Sequence, residues 1–147
     1  MKKTALFILS IALLLSFLLT SCIEKTYDDG QMTLVIAGEG ETAYDVPLAS
    51  LDSDKAGLVA VLDYLKEKEG VDYTMNGTML ESVGALENNY TDGIYIYVYT
   101  SVKKDEDVSV YKQTVEYGDT TLTSSGVGVL EMTIEDGCII YIGSVKW

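Results

Sequence analysis

The chain has 147 residues with no histidine and no arginine, and it sets 23 acidic side chains against 10 lysines for a formal net charge of −13. A polyanion without Arg is a poor nucleic-acid binder, because neutralising phosphates needs a basic patch. Without histidine, Ser-His and Cys-His nucleophile pairs and histidine-zinc sites cannot be assembled.

Lys2 and Lys3 precede an apolar run over residues 6–19, interrupted only by Ser10, Ala12 and Ser16. That run falls short of the roughly 20 residues a membrane-spanning helix needs, and it fits the apolar region of a signal peptide. It ends at Leu19-Thr20-Ser21-Cys22, which resembles the bacterial lipobox, where cleavage precedes the cysteine and its thiol receives a diacylglycerol. An ordinary secretory signal with an incidental cysteine, or an N-terminal anchor helix, is the other reading of these residues. The lipobox predicts a lipoprotein signal peptide over 1–21, lipidation at Cys22, a polar tether over 22–30 and a domain over 31–147. The protein would then be extracytoplasmic, lipid-anchored to the membrane of a bacterium, with about 0.8 kcal/mol of attachment per buried methylene. Removing residues 1–21 takes two lysines and no acids, leaving 8 lysines against 23 acids and a net charge of −15. Such a charge is repelled by an anionic bilayer, so the lipid does the anchoring. Phe7 and Phe17 leave with the signal, and the remaining aromatic residues are eleven Tyr and Trp147.

Residues 31–37 (QMTLVIA) alternate and are rich in branched side chains, which predicts a strand. A turn at Gly38-Glu39-Gly40-Glu41 leads to a second strand over 42–48, where Pro47 favours an edge or a strand end. Residues 52–69 read as the one helix: Leu58, Val61, Leu62 and Leu65 form a single apolar stripe. Asp52, Ser53 or Asp54 can cap its start, Gly70 stands where a C′ glycine belongs, and Lys66 and Lys68 suit the last turn. Asp52-Ser53-Asp54-Lys55-Ala56-Gly57 also has the opening of a calcium loop, but Ala56 and Asp63 occupy ligand positions badly, and capping explains the same residues. No metal is assigned.

Further strands are expected over 71–75 and 79–83, with an Asn76-Gly77 turn between them and a loop over 86–93. Then comes IYIYVYTS (94–101), in which Tyr95, Tyr97 and Tyr99 share one face and Ile96 and Val98 the other. The aliphatic face suits the helix. The tyrosine face suits either a second packing layer or a ligand-binding platform, because a tyrosine ring is apolar while its hydroxyl stays wet. KKDED (103–107) reads as a solvated turn. Short strands are expected over 108–112, 113–117, 128–134 and 138–147, with turns at Gly118-Asp119 and Asp136-Gly137. Once Cys22 is acylated, Cys138 is left unpaired in an apolar run, as a buried inert thiol, and a disulfide framework is excluded by count. One helix on a mostly antiparallel sheet is an α+β arrangement, with a β-grasp-like layout.

The segments VLDYLKEKEGVDY (61–73), SVGAL (82–86), YIYVYTS (95–101) and VEYGDTTLTSSGVGVLEMTIEDGCIIYI (115–142) follow one another in an order that resembles the C-terminal domain of transcobalamin and intrinsic factor in its bacterial form. The resemblance covers roughly residues 31–147. It implies a β-grasp-like domain on a surface lipoprotein. Because the animal domain is one half of a cobalamin-binding pair, it names cobalamin or a related corrinoid as a small-molecule candidate. Spacing singles out no pair of carboxylates for hydrolytic chemistry. The expected function is therefore a non-catalytic binding domain without a cofactor, with Tyr95, Tyr97 and Tyr99 as ligand-binding candidates. The competing expectation is a cell-surface protein–protein interaction or adhesion module.

Overall fold

A computed structural model describes Tyr27 and residues 29–147; the expected signal segment, the lipidation site Cys22 and most of the tether lie outside the described residues. Nine strands and one α-helix follow in order among the described residues: β1 (Gln31–Ala37), β2 (Glu41–Pro47), α1 (Gly57–Glu69), β3 (Tyr73–Asn76), β4 (Met79–Val83), β5 (Leu86–Glu87), β6 (Ile94–Thr100), β7 (Thr114–Tyr117), β8 (Thr120–Ser124) and β9 (Ile139–Lys146). Six strands form one sheet in the order β2-β1-β9-β6-β8-β7, and β3-β4-β5 form a smaller one. Every pairing is antiparallel except β1 with β9, where Leu34 lies opposite Ile140. The protein is thus α+β, with one helix against mostly antiparallel strands.

The period-2 pattern divides the large sheet into two faces. Met32, Leu34 and Ile36 of β1 join Ile140 and Ile142 of β9 beneath Leu58, Val61, Leu62 and Leu65 of α1 in the main core. All four helix residues are buried, each contributing about 1.5–3 kcal/mol through the apolar area it removes from water. Ile96 and Val98 pack on that core too. On the opposite face, Val35, Tyr99, Leu122 and Tyr141 form a second apolar cluster, flanked by Tyr97, Val115 and Tyr117.

The helix starts later than its acidic prelude suggests. Its first residue is Gly57, the N-cap is Ala56, and no side chain caps it. The Leu58 N–H donates instead to the Val129 carbonyl at 2.8 Å, so a segment more than 70 residues away does the capping. Asp52 makes a local turn, accepting the Asp54 N–H at 2.9 Å. Gly57 has φ +57, and a Cβ there would collide with the Val129 carbonyl, so glycine is what lets that loop approach. At the other end Gly70 does take the left-handed conformation, with Lys66 and Lys68 in the last turn.

Three further expectations are corrected. Residues 108–112 alternate like a strand but form a turn, with Val108 and Val110 fully outside; Asp107 accepts both the N–H and the hydroxyl of Ser109 and bends the chain there. Residues 128–134 find no strand partner among the described residues and run irregularly, although Val129 and Met132 are buried. The strand that does pair with β7 is β8, TTLTS, whose single apolar residue Leu122 leaves little periodic signal. The KKDED stretch is not simply solvated: Asp105 is 5% exposed within a short 3-10 turn. Among the described residues, no helix is long and apolar enough to cross a membrane.

Candidate functional site

Strand β6 is shared by two neighbours along only part of its length. β9 pairs with all of it, from Ile94 opposite Lys146 to Thr100 opposite Ile140. β8 pairs only with Tyr99 and Thr100, so the sheet splits ahead of them. A groove of about 650 Å³ occupies the split. Ile96 and Val98 from one face of β6 and Tyr95 and Tyr97 from the other all line it, which a groove can achieve only by running along the strand's edge.

The walls come from distant parts of the chain. Thr78, Met79 and Leu80 enter from the β3–β4 hairpin, Asn88 and Tyr90 from the loop after β5, Ser125 and Val127–Val129 from the segment after β8, and Trp147 from the end of the chain. Tyr90 stands edge-on to Tyr95 with ring centres 5.8 Å apart, and its hydroxyl donates to Glu81 at 2.7 Å. Glu81 raises the affinity of that phenol for its proton. Trp147 lies 6.4 Å from Tyr97, and its backbone N–H donates to the Gly93 carbonyl at 2.9 Å. A row of rings thus leads from the groove into the second cluster: Trp147, Tyr97, Tyr99, Tyr141, Tyr117.

Asn88 takes the place of a missing strand. Its Oδ1 accepts the Ile96 N–H at 2.6 Å while its Nδ2 donates to the Leu80 carbonyl at 3.0 Å, tying the small sheet to the large one. At the far end of the split, the Ser125 N–H donates to the Val98 carbonyl at 2.7 Å.

The three sequence candidates part company here. Tyr95 and Tyr97 are half-buried and line the groove. Tyr99 does not: it is 6% exposed, packed edge-on against Tyr141 at 5.9 Å, and burial pushes its phenol pKa up. Met79, Tyr90, Asn88 and Trp147 were not singled out for the site, since each reaches it from a separate element. Only Trp147 carried a signal, as the sole tryptophan of the chain.

The chemistry on offer is stacking, apolar contact and neutral hydrogen bonding. Among the described residues Asp107 is the one charged lining residue, and Ser109 already occupies its carboxylate. Asp52 and Asp63 are engaged locally, the latter accepting from the Tyr73 hydroxyl at 2.6 Å and facing Lys55 at 3.6 Å. Among the described residues, no group of three or more His, Cys, Asp or Glu could hold a metal ion. Cys138 is buried in the main core, where burial pushes its thiol pKa up and makes it a poor nucleophile. Comparison of the chain with models of protein families finds no match, and comparison with curated proteins finds none either.

Proposed function

We propose that this protein is a bacterial surface lipoprotein, held outside the cytoplasm through acylated Cys22, whose 31–147 domain is a non-catalytic binding module of the transcobalamin C-terminal type. The supporting observation is the β6 groove. Its 650 Å³ lies within the roughly 300–1,000 Å³ of small-ligand sites, and Tyr90, Tyr95, Tyr97 and Trp147 give it aromatic walls. The β1–β2 hairpin followed by α1, with β1 and β9 as parallel neighbours, is in keeping with a β-grasp-like layout. A corrinoid is the named small-molecule candidate through the resemblance, its flat ring being suited to tyrosine and tryptophan faces.

A second reading, a protein–protein interaction or adhesion module, is favoured by the partly unpaired edge of β6, which suits a neighbouring chain as well as a small molecule.

Calorimetric titration of the full-length chain in detergent with cobalamin and cobinamide tests the first reading. A saturable heat that Tyr97→Ala removes supports it, and a flat response at high micromolar protein sinks the corrinoid. Palmitate labelling of wild type against Cys22→Ala tests the anchor: label retained in the variant refutes it.

A further inference from the structure

Along β6, odd-numbered residues direct their backbone groups to β9, as the bond from Trp147 to Gly93 and the register of the pair require. Even-numbered residues face the groove. Ile94 exchanges both of its bonds with Asn89, the Ile96 N–H is taken by Asn88, and the Val98 carbonyl is taken by Ser125. Between these two brackets stand the Ile96 carbonyl and the Val98 N–H, to which no described residue hydrogen-bonds. They flank Tyr97 on the strand's free edge, one acceptor and one donor at the spacing of a β-ladder.

We propose that the groove receives an extended peptide segment of a partner protein, one residue of which bonds the Ile96 carbonyl with its N–H and the Val98 N–H with its carbonyl, completing the split sheet. The proposal rests on the second reading above, the groove as a protein-interaction site, and it names the partner's chemical form. An extended chain sends alternate side chains to opposite faces, and this groove has apolar walls on both: Leu80 and Val129, which belong to the main core under the helix, on one, and Tyr97 and Trp147 on the other. Among the described residues the only charged side chain in the lining is an aspartate, in a protein of net charge −13. A segment with consecutive apolar residues at its centre and Lys or Arg at its ends, beyond the apolar walls, therefore complements it.

The test selects a displayed library of random heptapeptides on the full-length chain in detergent, then titrates a synthetic copy of an enriched peptide while following the Val98 amide by NMR. The expected result is enrichment of peptides with an apolar centre and basic ends, a downfield shift of the Val98 amide on binding, and a loss of about tenfold in affinity when one peptide nitrogen is methylated, in keeping with the cost of leaving a buried partner unpaired. Val98→Pro removes the same donor from the protein side without breaking the β9 ladder, and it should weaken binding alike. If that variant does not fold, the methylated peptide still reads the bond. Peptides that tolerate methylation at every position, or that leave the Val98 amide unmoved, overturn the proposal. Groove resonances that respond to cobalamin but to no peptide would overturn it while keeping the groove as a site. Resonances that respond to neither would remove both.

Discussion

Asp105 and Thr133, 28 residues apart, are joined twice: the Asp105 carboxylate accepts the Thr133 backbone N–H at 2.5 Å and its hydroxyl at 3.2 Å. The Asp105 carbonyl also accepts the Gly126 N–H at 2.8 Å. One buried acid therefore pins both ends of the irregular segment that supplies Val127–Val129 to the groove. Asp105→Ala should lower unfolding free energy by about 1 kcal/mol for each half-buried Thr133 donor left without its partner. Asp105→Asn, which keeps one acceptor, should cost less. Urea titrations of the two variants check the order; equal and negligible losses would contradict the pinning role.

Tyr99 and Tyr95 share a strand face but not a task. Tyr99→Ala should cost about 3–5 kcal/mol, the usual range for removing a buried ring, because it empties the cluster with Tyr141 and Leu122. Tyr95→Ala should cost less, about 1 kcal/mol, in the range of an aromatic pair at a half-buried site, and should act on ligand affinity as well. Thermal denaturation of the two variants separates them, and similar losses would refute the division.

Two phenols tie the fold to alkaline pH. Tyr73 and Tyr141 are each raised from the ordinary 10.0 to about 12, by burial first and then by donating to a carboxylate, Asp63 at 2.6 Å and Glu41 at 2.9 Å. A phenol is neutral while it keeps its proton, and the folded chain keeps it longer than the unfolded one. The stability it contributes is whole below pH 10 and drains away as pH rises through about 12. Melting temperature should therefore fall across that window, and Tyr73→Phe should flatten the fall. An unchanged slope in that variant would show the Asp63 bond to be inconsequential.

Gly93 sits at φ +67, and a Cβ added there would come within 2.7 Å of the Trp147 carbonyl. Gly93→Ala should cost about 1–2 kcal/mol for the left-handed backbone and push the chain end away from Tyr97. Emission from the sole tryptophan reports the shift directly. An unaltered spectrum would mean that Trp147 is not held by this contact.

The helix stripe, the Gly70 stop and the alternating faces of β1 and β6 were legible because each is a local periodicity imposed by one buried side. The N-cap was not, because the group that caps α1 is a carbonyl brought in by tertiary folding, while the nearby Asp52 and Asp54 advertise a cap they do not supply. Residues 108–112 mimic a strand through Val108, Val110 and the intervening serine, yet nothing pairs with them. Of the site, sequence indicated Tyr95 and Tyr97. Asn88 as a side-chain stand-in for a strand, and the split that exposes the edge, follow from where β8 stops pairing, which no local pattern encodes.

β9, made of nearly the last residues of the chain, is the middle plank of the large sheet, with β1 on one flank and β6 on the other. Until it is available, the two halves of the sheet have no common seam, and neither apolar cluster can close. Closing the large sheet must therefore await residues 139–146, with the loop-closure cost of bringing them beside β1. A nascent or threading polypeptide stays unlocked until that strand arrives, and its removal would cleave the architecture through its centre.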